Sequence, residues 1–270
     1  MGRSLLAAAL TGFALLQPAW AQSPPGKALT AADLQAWKTI RATSMTPDGK
    51  WFAYLVAPNE GNAEVVVRPT GPGSEHRFPI GEPPTGSGFG GSAGAIELSD
   101  DGRWLGFLAY PTATEATQLR KDKKPIQSRA IVVNLATGTS REFPKVRTLR
   151  FGGPRPKWVA LQGYPAEAGG GAATGRSVGA DLLLHELGTD KVANIGNAGE
   201  WAFDESGQWL AILIDARDRL GNGVELRNLA TDATEIIESR PALYRRLAWA
   251  DSGLALSFVR GTIDSAGKDT

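Results

Sequence analysis

A short motif recurs along this chain: an Asp-Gly turn, then a tryptophan, then an apolar strand. The fullest copy is Met45-Thr-Pro-Asp-Gly-Lys-Trp-Phe-Ala-Tyr-Leu-Val56, and further copies start at Leu98 and Phe203. A weaker copy surrounds Pro156 to Leu161, and a fifth begins at Trp249. The intervals between the tryptophans of successive copies are 53, 54 and 51 residues, for Trp51, Trp104, Trp158 and Trp209. A period near fifty indicates a repeat architecture.

A second motif repeats in the same phase. It consists of short aliphatic runs that start at Val65, Ile131, Leu182 and Val224. Each unit therefore carries two strong strands, and a unit of this length has room for four short ones, which is one propeller blade. We predict an all-β fold over residues 45–270: a β-propeller of about four blades plus the start of a fifth, each blade a four-stranded antiparallel sheet.

The strands after the turns are apolar on both faces, as in Trp51 to Leu55 and Trp209 to Leu213. Such strands are expected to be covered on both sides, as stacked blades would cover them. The Asp48-Gly49 and Asp101-Gly102 pairs are typical of tight turns, because glycine accepts positive φ and aspartate bonds to nearby backbone amides. We interpret these aspartates as turn residues and not as catalysts.

Residues 1–21 have the pattern of a secretory signal peptide. Arg3 precedes an apolar run from Leu5 to Leu16, and Ala19-Trp-Ala21 forms a small-x-small cleavage site. The apolar run is shorter than the roughly 20 residues that span a bilayer. We therefore expect cleavage after Ala21, a periplasmic or secreted protein, and no membrane association after cleavage.

Residues 22–44 are predicted to form a leader and a short helix. Thr30 is a suitable N-cap, with Asp33 at the third helical position, and the helix is expected to extend through Trp37 and Ile40.

Composition excludes several kinds of function. The chain has no cysteine, so disulfides, thiolate metal sites and cysteine nucleophiles are ruled out. Loss of Arg3 with the signal peptide leaves 28 of the 29 basic residues against 28 acidic ones, which gives no bulk attraction to nucleic acid or anionic membranes. The basic cluster Arg120-Lys-Asp-Lys-Lys124 lies in a polar insertion, and we interpret it as a solvated loop.

Three long connections interrupt the repeats, at Gly81 to Gly94, Pro111 to Ser128 and Pro165 to Gly179. Loops of this length in a compact domain are usually functional or mobile. On a propeller they would lie at the rims, where we expect contact with a partner or substrate, although no single residue in them stands out.

Several motif matches lack the structural context that their chemistry needs. Gly90-Gly-Ser92-Ala-Gly94 matches a nucleophile elbow but has loop formers before it and no helix after it. Gly86 to Gly91 matches a dinucleotide fingerprint without a βαβ unit. His76 and His185 fall in different repeats without partners at ligand spacing. We therefore predict no catalytic, cofactor-binding or metal-binding residue in this chain, and no cofactor.

The order of these segments resembles a known family. A signal peptide, the Leu29-Thr-Ala-Ala-Asp-Leu34 helix with Trp37-Lys38, the Met45 to Tyr54 strand and further Asp-Gly-x-Trp strands are similar to the N-terminal propeller of exported bacterial serine peptidases of the prolyl-oligopeptidase family. The similarity covers nearly all of the chain after residue 21. The turn-and-strand motif also occurs in TolB-like and other periplasmic propellers.

The resemblance implies a function that needs more than this chain. In that family the propeller restricts access of peptides to a C-terminal α/β-hydrolase domain, which supplies the Ser, Asp and His of the triad. That domain has no counterpart here, so no triad residue is carried over, and we expect the chain to be part of a longer protein. Paired glutamates of the kind that hold a substrate amino terminus in dipeptidyl peptidases are not recognisable either.

Two other functions remain open. The first is a stand-alone periplasmic propeller that binds a protein or glycan, as a complete four-bladed ring whose last strand, Leu254 to Val259, completes the first blade. The second is a propeller enzyme such as a lactonase or dehydrogenase, which would need a metal or cofactor that the ligand inventory does not favour.

Overall fold

Strands account for most of the described backbone. The computed structural model describes residues 28–84, 96–165, 178–251 and 255–261, and within these ranges the chain forms seventeen strands and two short helices. The strands are antiparallel and follow one another in space as they do in sequence. The protein is a β-propeller, as its sequence predicts.

Helix α1 (Ala31–Ala36) has the predicted N-cap. The Thr30 hydroxyl accepts from the Asp33 amide, and the Asp33 carboxylate accepts from the Thr30 amide, which is a capping box. The helix ends sooner than predicted, because the backbone is extended at Trp37, and Ile40 already belongs to the first strand. Pairing with the next strand therefore overrides the helical pattern at the end of the leader.

Blade 1 is a four-stranded sheet in the order β1-β2-β3-β4. Its strands are β1 (Thr39–Met45), β2 (Trp51–Ala57), β3 (Ala63–Pro69) and β4 (His76–Gly81). The first strand thus begins before Met45, inside the segment that the sequence indicated as leader.

Blade 2 has the same order, with β5 (Ile96–Leu98), β6 (Trp104–Ala109), β7 (Arg129–Asn134) and β8 (Ser140–Phe143). The connection between β6 and β7 is not a plain loop, because helix α2 (Ala113–Lys121) occupies it. A second capping box, between Thr112 and Glu115, begins this helix. The sequence analysis missed the helix because its outer face is polar and only Ala116 is buried.

Blades 3 and 4 share one long strand and so form a single seven-stranded sheet. The shared strand β12 pairs with β11 up to Ala198 and with β13 from Ala198 onward, and bulges on both sides of this residue let the chain pass from one blade to the next. The strands are β9 (Val146–Phe151), β10 (Trp158–Gly163), β11 (Ala180–Glu186), β12 (Val192–Phe203), β13 (Trp209–Ile214), β14 (Gly223–Asn228) and β15 (Thr234–Ser239).

Blade 5 is represented by the hairpin β16 (Leu243–Trp249) and β17 (Leu256–Gly261). Strand β17 pairs with β16, and blade 1 has four strands of its own. The alternative in which the last strand completes blade 1 is therefore not the pairing observed, because the Trp249 repeat forms its own hairpin.

The recurring turn is held by one hydrogen-bonding device. In blade 1 the Thr46 hydroxyl donates to Asp48 and accepts from the Trp51 amide, while Asp48 also accepts from the Lys50 amide. These hydrogen bonds, first that from Thr46, lower the pKa of Asp48 to about 2. The assignment of Asp48 as a turn residue is confirmed.

The same device returns in two further blades. In blade 2, Ser99 and Asp101 repeat it around the Trp104 amide. In blade 4 the two roles are exchanged, because Asp204 accepts from the Trp209 amide and Ser206 donates to Asp204. The turn therefore needs one hydroxyl and one carboxylate, and it does not depend on their order.

Apolar cores lie between blades and not within them. Four buried clusters each join two successive blades, from blades 1 and 2 to blades 4 and 5. Strand β6 shows why, since all six of its residues are buried: Leu105 and Phe107 pack on blade 1, and Trp104 and Leu108 pack on blade 3. The expectation of strands covered on both faces is confirmed for β6 and β13.

Strand β2 meets that expectation on one face. Ala53 and Leu55 are buried against blade 2, whereas Phe52 and Tyr54 on the other face are half-buried and stack on each other with ring centroids 5.5 Å apart. Blade 1 is in contact with another described blade on one side, and this accounts for the difference.

The close approach of blades 3 and 4 depends on Gly207. This residue has φ +73°, and a Cβ on it would lie 2.3 Å from the Gly152 carbonyl oxygen.

The effect of replacing Gly207 by alanine can be compared with that of replacing Gly49. Gly49 is the matched control, because it has φ +69° and open space around it. We expect Gly49→Ala to cost about 1 to 2 kcal/mol from the backbone conformation alone. Gly207→Ala should cost about 1 to 3 kcal/mol more from overpacking, measured by urea denaturation. Equal losses would contradict this account.

Ser99 should contribute measurably to stability. It is buried, and Ser99→Ala would leave the Trp104 amide and the Asp101 carboxylate without this partner. We expect a loss of about 1 to 3 kcal/mol in the free energy of unfolding. Ser140→Ala, at an exposed position on β8, should change it by less than about 0.5 kcal/mol. Similar midpoints for the two variants would show that the turn does not need the hydroxyl.

Candidate functional site

The first strands of the blades lie side by side. Strand β1 contacts β5, β5 contacts β9, and β12 contacts β16. Blades 3 and 4 meet where the Phe203 ring packs so closely on Gly152 that a Cβ there would lie 2.9 Å from it. The inner face of the propeller is therefore built from the first strand of each unit.

A cavity of about 630 Å³ opens where blades 3, 4 and 5 meet on this inner face. It falls within the size range of small-ligand sites. Its walls come from β9, β12, the turns that follow these two strands, and one residue each of β10 and β16. The lining residues are Thr148, Arg150, Phe151, Gly153, Gln162, Gly199, Glu200, Trp201, Ala202, Phe203, Asp204, Glu205 and Leu247. The wall thus combines aromatic rings with charged and amide side chains.

Side chains of one blade accept backbone amides of the next along this inner face. Ser44 Oγ accepts from the Leu98 amide at 3.0 Å, and Glu97 Oε1 accepts from the Phe151 amide at 3.0 Å. Each of these pairs is 54 residues apart, so they are the same contact in successive repeats.

The junction of blades 4 and 5 has a similar contact, displaced along the strand. Glu200 Oε2 accepts from the Leu247 amide at 2.9 Å, and the Trp249 indole donates to the Ala202 carbonyl. These contacts hold adjacent first strands together without a continuous sheet.

Glu97 carries an unusual carboxyl group. Burial raises the pKa of Glu97 from 4.5 to about 6, and the nearby charge of Asp100 acts in the same direction. The Phe151 amide and the charge of Arg150 oppose this shift. Its second oxygen, Oε2, is buried, accepts no hydrogen bond, and lies 3.9 Å from the Arg150 guanidinium. Glu97 also lines a smaller cavity of about 270 Å³, which shares Phe151 and Glu205 with the larger one.

Arg150 is the one cation among the described residues that line the larger cavity, and its side chain is half exposed. Two of the three carboxylates in the wall have partners of their own: Glu200 accepts from Leu247, and Asp204 accepts from Trp209. Glu205 is exposed. The cavity therefore offers one strong donor group, a partly acidic rim and aromatic surface.

The two histidines occupy unrelated places. His185 is buried in β11 against the Phe143 ring, and burial lowers its pKa. His76 is exposed on β4. Within the described residues, no cluster of three or more His, Asp or Glu side chains could hold a metal ion. No helix in that part of the chain is both long and apolar enough to cross a membrane.

The other motifs singled out in the sequence have mixed outcomes. Ser92 in the Gly90 to Gly94 match, and the Gly86 to Gly91 match, lie outside the described residues. The basic cluster is exposed as expected, but Arg120 lies in the last turn of α2, where it pairs with Glu82 at 3.2 Å. The cavity of about 630 Å³ lies on the first strands. Two others, of about 580 and 500 Å³, are lined in whole or in part by residues of the long connections where a contact site was expected.

Sequence reasoning missed Glu97, Arg150 and Glu200. Two of the three, Glu97 and Arg150, could have been found from the repeat. Like Ser44 in blade 1, each immediately precedes the last residue of the first strand of its blade. An alignment of the repeats in register would have shown a polar side chain at this place in three blades. The identity of the partner amides, however, depends on how adjacent blades stack.

Comparisons with known proteins concern the fold. No protein-family model and no curated protein matches the chain. Among solved structures, the chain is similar to the β-propeller domain of the Trilobed protease from Pyrococcus furiosus, with 11% identity and a TM-score of 0.45 over 75% of this chain and 58% of that one.

Two further structures are similar to a comparable extent. Prolyl oligopeptidase B from Galerina marginata has 15% identity and a TM-score of 0.49, over 86% of this chain and 33% of that one. TolB from Acinetobacter baumannii has 15% identity and a TM-score of 0.39, over 75% and 44%. The chain thus spans less than two thirds of each of these three structures.

Glu97 should make the stability of the protein depend on pH. Its pKa is raised in the folded state, so its contribution is fully present below about pH 4.5 and is lost as the pH rises through about 6. We expect Glu97→Gln to raise the free energy of unfolding at pH 7.5 by about 2 kcal/mol, a gain that disappears at pH 4. Glu235→Gln, exposed on β15, is the control, and urea denaturation at both pH values is the measurement. A gain of the same size at pH 4 would refute the explanation by burial.

Proposed function

We propose that this chain is the propeller portion of an exported serine peptidase of the prolyl-oligopeptidase family. In this role it gates and orients peptide substrates for an α/β-hydrolase domain outside residues 1–270, which performs acyl transfer by a Ser-His-Asp mechanism. The proposal rests on the order of sequence motifs from the predicted signal peptide to the Asp-Gly-x-Trp strands. Among the structural observations, the cavity between the first strands of blades 3, 4 and 5 carries it.

The cavity suits an extended peptide. Its walls are strand edges, which can present backbone groups to a chain lying along them. Trp201 and Phe151 offer apolar surface for side chains, while Arg150 offers hydrogen-bond donors. A folded protein could not enter a space of about 630 Å³, so such a site would select short or unstructured segments.

The chemistry of hydrolysis is assigned to the other domain. His185 is enclosed in blade 3, and its ring nitrogen contacts the Lys191 carbonyl; no acidic side chain of the described residues is hydrogen-bonded to it. A triad histidine needs an acidic partner and an accessible second nitrogen. The propeller would contribute binding and access control, and no cofactor. Export to the periplasm or the medium is part of the proposal and rests on residues 1–21.

The DNA downstream of the Thr270 codon provides the first test. We expect an open frame of several hundred codons that encodes further Asp-Gly-x-Trp strands, then G-x-S-x-G, Asp and His in that order. A stop codon directly after Thr270 would remove the peptidase assignment and favour a stand-alone propeller that binds a protein or glycan.

An activity assay provides the second test. The purified chain should not cleave a peptide anilide, whereas the longer protein should cleave it and lose activity when the serine of its G-x-S-x-G is replaced by alanine. Cleavage by residues 22–270 alone that is abolished by Ser92→Ala would mean that the propeller carries its own nucleophile, contrary to the proposal.

A further inference from the structure

The contact between successive first strands is absent between blades 3 and 4, and between blades 4 and 5 it is displaced along the strand. In blades 1 to 3, the amides of Leu98 and Phe151 each point away from their own sheet and donate to a side chain of the preceding blade, Ser44 or Glu97. The residue in blade 4 that corresponds to Leu98 and Phe151 is Phe203, since each directly precedes the turn.

The Phe203 amide faces the same way. The neighbouring Asp204 amide donates to the Trp209 carbonyl inside the β12/β13 hairpin at 3.0 Å. Successive amides along a strand point to opposite sides. The Phe203 amide therefore points away from β13, toward the first strand of blade 3.

Blade 3 presents a donor where the other blades present an acceptor. The residue that corresponds to Ser44 and Glu97 is Arg150, and a guanidinium group has five N–H donors and no acceptor. Arg150 thus cannot accept the Phe203 amide. The residues that carry these two donor groups both line the cavity of about 630 Å³.

The nearest carboxylate does not satisfy Arg150. Glu97 Oε2 lies 3.9 Å from the guanidinium, which is beyond hydrogen-bonding distance, and Glu97 Oε1 is already bonded to the Phe151 amide. Half of the Arg150 side chain is exposed. The guanidinium is therefore able to bind an acceptor that enters the cavity.

We propose that Arg150 and the Phe203 amide form a subsite for the C-terminal carboxylate of a peptide bound in the cavity. This inference rests on the proposed function, and it adds the part of the substrate that is recognised. Arginine and a backbone N–H together match the two oxygens of a carboxylate. Trp201 and Phe151 lie beside them and would contact the apolar side chain of the terminal residue.

The surroundings favour a singly charged ligand. Glu200 and Glu205 are in the same cavity wall, and their charges would repel a multiply charged anion such as phosphate. A peptide carboxylate carries one charge and is attached to a chain that can use the aromatic surface. The same carboxylates make the site selective for peptides over polyanions.

Calorimetric titration with Ala-Ala-Phe and with its C-terminal amide tests the subsite at pH 7.5 and low salt. We expect the free acid to bind about tenfold or more tightly than the amide, because the amide cannot accept two charge-assisted hydrogen bonds. Arg150→Gln should reduce the affinity for the free acid to that for the amide. Arg68→Gln, at an exposed position on β3, should leave both affinities unchanged.

Glu97→Gln separates recognition from folding. Its amide oxygen can still accept from Phe151, but the competing negative charge beside Arg150 is gone. We expect the free acid to bind several-fold more tightly to this variant at pH 7.5, with no change for the amide. A purely structural role for Glu97 would change both affinities together.

Several outcomes would overturn the subsite. They are equal affinity for acid and amide, full binding by a folded Arg150→Gln or Arg150→Lys variant, absence of binding by either peptide, and displacement of the peptide by millimolar inorganic phosphate. None of them bears on whether a hydrolase domain is encoded after Thr270, so the failure of this inference and the failure of the proposed function can be told apart.

Discussion

The two apolar faces of each central strand are the constraint on which this structure depends. A single four-stranded blade would expose one or both faces to water, and burial of apolar area is worth roughly 25 cal/mol per Å². The chain meets this constraint by stacking: among the described residues, each of the four apolar clusters joins two blades. Stability is consequently shared between neighbours, as in other repeat folds.

Stacking also determines where polar groups are available. First strands of adjacent blades do not join into one sheet, so their outward amides need acceptors from the neighbouring blade. Ser44, Glu97 and Glu200 provide them at three junctions. At the junction of blades 3 and 4 an arginine stands in place of the acceptor, and it lines the cavity there.

Much of the fold could be predicted because its determinants are local. Asp48-Gly49 and Asp101-Gly102 indicated turns, and the side-chain bonds around Trp51 and Trp104 are made within six residues. The period of the tryptophans indicated blades. The prediction was wrong at Ile40, where pairing with β2 draws the residue into a strand instead of extending α1. Helix α2 was missed for another reason, because its residues are mostly polar and only Ala116 is buried.

The sequence by itself determined the repeat, the turns and the strands with two apolar faces, because each of these follows from residues close together in the chain. Only the tertiary structure decided which side chains line the cavity. Glu97 and Phe151 are 54 residues apart, and Arg150 and Phe203 are separated by about one repeat. Such groups come together because of the distance and rotation between stacked blades. The spacing of residues in the sequence does not encode that geometry directly.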